Sequence, residues 1–328
     1  MTANNWDQTP INSTPINLQH IRDAGTRIAP FIHRTPVLTC ATLDRMTGAQ
    51  LFFKCENLQK VGAFKMRGAS NAIAQLDPKV AVHGVATHSS GNHGAAVALA
   101  ARLMGMKAHV VMPDNAAAIK KQAVAGYGAD ITWCEPTIAA RDECLAALVQ
   151  RTGATIIHPY NDERIIAGQG TAGLELIEEI ERLDLLLIPV GGGGLISGCA
   201  LAAKSLNPDV RVIGVEPEGA DDARRSLAAG ALVPPRPHAS IADGLLAPLG
   251  EKTFAIIRRH VNDIVAVSEA AIAHAMRTVW ERMKIIIEPS SAVTVAAILD
   301  GKVDISGRRC GIILSGGNVD LDRLPWTG

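Results

Sequence analysis

"DLLLIPVGGGGLISG", residues 184–198, joins an unbroken apolar run to four glycines and then to a helix-like segment. A strand that is apolar at every position is buried on both faces, the habit of parallel sheet covered by helices. The same strand–turn–helix order recurs along the chain. "HGVATHSS" leads into "NHGAAVALAARLMG", "KAHVVMP" into "NAAAIKKQAVAGYG", "VRVIGVE" into "ADDARRSLAAG", and "DIVAVSE" into "AAIAHAMRTVWERM". This alternation predicts an α/β fold of mostly parallel, twisted sheets flanked by helices. Proline-rich "LVPPRPHAS" (232–240) reads as a surface loop, and no repeat or low-complexity segment divides the chain.

The glycines carry the first chemical signal. Gly191, Gly192, Gly193 and Gly194 let the backbone approach a bound group closely at a helix N-terminus, where free N–H donors favour an anion such as phosphate. A plain strand-to-helix turn needs only one or two glycines. A dinucleotide site is the rival, because Glu216 ends the next strand. No register gives GxGxxG, since Ile196 and Ser197 stand where the last glycine should be, and GxxxxGK[ST] is also absent. A phosphate monoester fits better than a pyrophosphate.

Two further junctions are rich in hydrogen-bonding groups. "HSSGNHG" (88–94) supplies Ser89, Ser90, Asn92 and His93, more than one helix cap requires and suited to a carboxylate and polar ring substituents. "ILSGGN" (313–318) offers Ser315 after an apolar strand, with an ordinary glycine turn as its plainer reading. In "GAFKMRGAS" (62–70), Lys65 lies between Phe64 and Met66. An apolar setting favours the neutral, nucleophilic amine, whereas an arbitrary lysine would snorkel to water. A nucleophilic lysine, a phosphate cradle and a hydroxyl-rich turn together suggest pyridoxal phosphate chemistry.

Composition narrows the setting. The chain has 328 residues, 48% hydrophobic and 20% charged, with 32 basic and 32 acidic residues. Zero net charge and 3% aromatic content point away from nucleic acid and anionic membranes. Six scattered cysteines form no CxxC pair and read as reduced core residues; the ten histidines form no HExxH. The polar N-terminus lacks the regions of a signal peptide, and no apolar run reaches spanning length, so the expected location is cytoplasmic, with no membrane partner.

"KCENLQKVGAFKMRGA", "HSSGNHG", "IAGQGT", "VGGGGLISG", "IADG" and "LSGGN" occur in the order found in the serine/threonine dehydratase and serine racemase family, which the chain resembles from about residue 34 to residue 321. "WCEPTIAAR", "GVEPEGADD" and "WERMKIIIEP" look closest to the racemase branch. The resemblance implies a fold type II, tryptophan synthase β-like architecture with pyridoxal 5'-phosphate between two domains. Residues 1–75 and 163–328 would form the large domain and 76–162 the small one. Lys65 would carry the cofactor covalently, Phe64 flank its ring, Gly191 to Gly194 hold its phosphate, Asn92 face its 3' oxygen and Ser315 meet its pyridine nitrogen. A neutral serine there leaves the ring a weaker electron sink, which favours prompt loss of a β-leaving group. Ser89, Ser90, Asn92 and His93 would line the α-carboxylate pocket, with Ser90 the acid/base opposite Lys65.

The resemblance further implies a homodimer, an amino acid substrate, and a Mg2+ or Ca2+ site made by Glu216, the Ala220 carbonyl and Asp222. These ligands are oxygens, which suits such ions. The plainer alternative, acids capping a helix near Asp221, suits Asp222 better than Glu216. Arg141 matches an arginine that reaches the distal end of a dicarboxylate. Its plainer reading is an exposed charge on a helix over 138–152. Ala63, Tyr160 and Ala247 depart from the racemase pattern, the last two against racemisation as the main activity. The expectation is therefore a dehydratase of serine, threonine or 3-hydroxyaspartate. A racemase, or a non-catalytic amino-acid-binding protein of the same fold, is the alternative.

Overall fold

A computed structural model describes residues 15–89, 91–116, 118–236 and 239–326. Its strands in chain order are β1 (Val37–Leu38), β2 (Gln50–Cys55), β3 (Val85–His88), β4 (Ala108–Pro113), β5 (Asp130–Cys134), β6 (Thr155–Ile156), β7 (Leu185–Pro189), β8 (Arg211–Pro217), β9 (Asp263–Val267) and β10 (Arg309–Leu314). They form two sheets, one ordered β1-β2-β10-β7-β8-β9 and the other β5-β4-β3-β6. Only β1 runs antiparallel to its neighbour; every other pairing is parallel. The apolar runs thus became parallel strands, as their lack of alternation required: all five residues of β7 are buried.

In parallel sheets the loops that leave the carboxyl ends of the strands lie together and hold the ligand. Here β2 leads through two short 3-10 turns to the helix Lys65–Ile73, β3 leads to the turn before Asn92–Leu103, β7 to the four glycines, and β10 to Ser315. Every motif that drew attention as chemistry therefore leaves a carboxyl end.

Three helices pack close behind these loops: Lys65–Ile73, Glu163–Glu179 and Gly194–Leu206. Small residues allow it. A Cβ on Gly170 would stand 2.9 Å from the Gly198 main chain, and one on Gly168 would stand 2.6 Å from the Arg67 carbonyl oxygen. The glycines of "IAGQGT" are helix-packing residues.

Beneath Lys65 the packing turns polar. Arg67, fully buried, makes a two-pronged contact with Glu56 at 2.7 and 2.8 Å and reaches Glu175 at 2.7 Å. Lys54, also fully buried, donates to Glu175 at 2.6 Å and to the Thr35 carbonyl at 2.7 Å. Two cations and two carboxylates balance, so the network satisfies the rule that interior charges are paired. It ties β2 to the helix that starts at Lys65.

Candidate active site

Lys65 is the first residue of its helix and is partly exposed. Its ammonium donates to the Pro159 carbonyl at 2.8 Å and lies 5.2 Å from the centre of the Phe64 ring. Desolvation by burial pushes its pKa down from 10.5 to about 8, which keeps a much larger neutral fraction at working pH than a surface lysine has. The apolar flanks of "GAFKMRG" have the effect read from them.

The Phe64 N–H donates to the Ser315 carbonyl at 3.0 Å, and Ala63 bridges Gly316. These bonds clamp the Lys65 turn to the end of β10, where Ser315 is 3% exposed. On the other side of β10 lies the glycine loop. A Cβ would come within 2.9 Å of Leu245 from Gly191, 2.3 Å of the Tyr160 ring from Gly192, and 2.5 Å of Gln169 Oε1 from Gly194. Gly193 has φ +87°, a conformation that side chains disfavour. What this loop offers a ligand is its main chain, and the first turn of Gly194–Leu206 brings free N–H donors with it. Such a cradle fits a phosphate.

Asn92, at the start of Asn92–Leu103, donates to Glu288 Oε1 at 2.8 Å and accepts from Asn318 at 2.9 Å. Ser89 Oγ accepts from the Gly91 N–H at 3.2 Å. Ser90 lies outside the described residues. His93 is 3% exposed, with Nε2 against the Ile157 carbonyl at 3.0 Å and Nδ1 without a partner. A carbonyl only accepts, so Nε2 carries the proton and Nδ1 is an acceptor. Burial, then the Lys65 charge, holds its pKa well below 6.5, so His93 is neutral. It cannot bring a positive charge to a carboxylate.

Arg141 lies on Ile138–Thr152 and is half-buried, with Nε buried and unpartnered, so it is not the exposed charge of the plainer reading. Its charge depresses the pKa of His88, after burial and against the pull of Asp142.

Glu216 is 1% exposed and Asp222 6% exposed. It is Glu216, not Asp222, that accepts from the N–H groups of Ala223 and Arg224, at 3.3 and 2.8 Å, and caps Asp222–Ala229. Asp222 accepts instead from Leu249 N–H at 3.2 Å. Burial pushes Glu216 up to about 8, and the nearby Asp222 carboxylate adds to it. Buried carboxylate oxygens are the kind of ligand that suits a hard cation. Among the described residues no group of three or more His, Cys, Asp or Glu side chains gathers as a metal cluster.

Residues 28–316 match the family of pyridoxal-phosphate dependent enzymes. The chain belongs to that family. A β-hydroxyaspartate dehydratase of Paracoccus denitrificans is 50% identical over 304 residues, 93% of this chain and 96% of that one. A serine racemase of Dictyostelium discoideum is 50% identical over 316 residues, 94% of this chain and 97% of its own. The solved structure of maize serine racemase superposes with a TM-score of 0.92 at 47% identity, covering 94% of this chain and 95% of that one. As a member of this family the chain is an enzyme, with pyridoxal phosphate as its cofactor. The α/β architecture of parallel sheets under helices is that of its solved neighbours.

Three residues in contact with these loops escaped the sequence reading. Glu288 precedes Pro289 at a helix start and reads as a capping acid. Gln169 reads as part of a helix; it is 1% exposed, with Oε1 unpartnered and Nε2 3.5 Å from the same Pro159 carbonyl that holds Lys65. Asn318 closes "SGGN" and reads as turn punctuation. Nothing in local sequence separates these roles from the ordinary ones.

Proposed function

We propose that this protein is a pyridoxal-phosphate-dependent ammonia-lyase that dehydrates β-hydroxy amino acids to a 2-oxo acid and ammonia, with 3-hydroxyaspartate used at least as efficiently as L-serine. The observation that carries the reading is Lys65, an amine desolvated to a pKa of about 8 at the junction of the glycine loop and Ser315. The relatives named above act on β-hydroxyaspartate and on serine, and this favours the substrate class.

When bound, the cofactor supplies an electron sink that makes the substrate's α-proton removable. Phe64 would flank it, Gly191 to Gly194 would hold its phosphate, Asn92 would face its 3' oxygen and Ser315 would meet its pyridine nitrogen. The Lys65 amine would be the base that takes the α-proton; its low pKa keeps it ready near neutrality. Ser89, Ser90, Asn92 and His93 would line the α-carboxylate pocket, with hydrogen bonds from the serine hydroxyls and the Asn92 main-chain N–H, since the one N–H of neutral His93 is held by the Ile157 carbonyl. Arg141 receives a second carboxylate through its guanidinium. Glu216, Asp222 and the Ala220 carbonyl would hold Mg2+ or Ca2+.

We divide the chain into a large domain (1–75 and 163–328) and a small one (76–162), following the two sheets, and place a homodimer in the cytoplasm. No described helix is long and apolar enough to cross a membrane.

Racemisation is the second reading, favoured by similarity to the racemases. It requires Ser90 to work on the face opposite Lys65. The test is Lys65→Ala, which should lose both the visible band of the covalently bound cofactor and all turnover. A variant that retained both would overturn the assignment.

A further inference from the structure

Glu288 is 3% exposed and stands at the meeting point of the Asn92 helix and the turn after β10. A Cβ on Gly316 would lie 2.5 Å from its Oε1, so that turn is glycine partly to admit the carboxylate. Oε1 accepts from Asn92 Nδ2 at 2.8 Å, while Oε2 is buried without a partner.

The direction of each amide in this chain is dictated. Asn318 Nδ2 donates to the Val61 carbonyl at 2.7 Å and to Asn92 Oδ1 at 2.9 Å. A main-chain carbonyl can only accept, so Asn318 must turn its nitrogen there, Asn92 must turn its oxygen to Asn318, and Asn92 must offer its NH2 to Glu288. One N–H of Asn92 is thereby taken up by Glu288. The other is left for the 3' oxygen of the cofactor.

We infer that Glu288 is a positioning residue that, through Asn92, couples its own charge to the protonation of the cofactor's 3' oxygen. This rests on the proposal that Asn92 faces that oxygen. Two charged side chains from other elements also face Glu288: Lys120 of the helix Ala118–Gly126 and Asp243 of the turn Asp243–Leu245. They are paired with each other, and their influences on Glu288 oppose. Burial, ahead of these, pushes Glu288 up to about 7, so its charge changes within the working range. An ionised Glu288 makes a second negative charge one amide away more costly, and the 3' oxygen keeps its proton. A neutral Glu288 lets that oxygen ionise. Above the titration of Glu288 its charge therefore holds back ionisation of the cofactor oxygen, and below it that restraint is absent.

The test is the absorption spectrum of the holoenzyme between about pH 6 and pH 8, in the native protein, Glu288→Gln, Glu288→Leu and Asn92→Ala. Above about pH 7 the Glu288→Gln protein should show more of the longer-wavelength band of the ionised cofactor than the native protein, by on the order of tenfold in the band ratio, and the difference should fade at lower pH. Gln still accepts from Asn92 but carries no charge, so it should retain cofactor affinity while freeing the 3' oxygen to ionise. Leu leaves Asn92 unheld and should weaken cofactor binding by on the order of tenfold. A Gln variant with the native pH profile, or with less of the ionised band than the native protein, overturns the inference. If the Leu variant does not fold, the Gln profile decides. Asn92→Ala reports on the underlying proposal: a native spectrum there means that Asn92 does not meet the cofactor, whatever Glu288 does. An altered Asn92→Ala spectrum with an unaltered Gln profile refutes the role of Glu288 alone.

Discussion

Replacing Lys65 by methionine should make the cofactor-free protein more stable. Folding lowers the Lys65 pKa from 10.5 to about 8 by desolvation, so the folded state binds this proton less tightly than the unfolded chain does. Stability then rises with pH between those two values, because there the unfolded state holds more protons. Below about pH 8 both states are protonated and the full cost, about 3 kcal/mol, is present. Against it stands the 2.8 Å hydrogen bond to the Pro159 carbonyl, which contributes about 1 kcal/mol. Methionine fills similar space with neither charge nor hydrogen bond. The expected gain is therefore about 2 kcal/mol at pH 7, shrinking to nothing or reversing above about pH 10. Denaturant unfolding of both apoproteins at the two pH values measures it. A methionine variant that is no more stable at pH 7, or whose gain is the same at high pH, would refute the claim that the site holds this amine at the expense of stability.

Three other outcomes are expected. Arg67→Leu leaves Glu56 and Glu175 buried against a single remaining cation, Lys54, and should cost about 3–5 kcal/mol in the same unfolding assay; a loss under about 1 kcal/mol would mean that the network contributes little. Arg141→Ala should lower kcat/KM for the 3-hydroxyaspartates by on the order of ten- to a hundredfold while sparing L-serine and L-threonine; equal losses on all substrates would assign Arg141 to the fold. Chelation should lower activity or thermal stability, with magnesium or calcium restoring it, and indifference together with metal-free analysis of the untreated protein would retire the Glu216–Asp222 site.

The sequence by itself determined the local parts of this enzyme. Unbroken apolar runs such as Leu185–Pro189 had to become buried parallel strands. Four successive glycines had to bare the main chain, and a lysine between Phe64 and Met66 marked the amine that tertiary burial then desolvated. Each of these follows from the chemistry of a few adjacent residues. Which of those parts meet was decided only in three dimensions. Strand β10, last in the chain, inserts between β2 and β7, and so sets Ser315 between the Lys65 turn and the glycine loop. The orphaned oxygen of Glu288, the neutral tautomer of His93 and the capping of Asp222–Ala229 by Glu216 depend on groups brought from distant segments. Strand order and burial are properties of pairings across hundreds of residues, and a charge is shifted or satisfied only by what those pairings place around it.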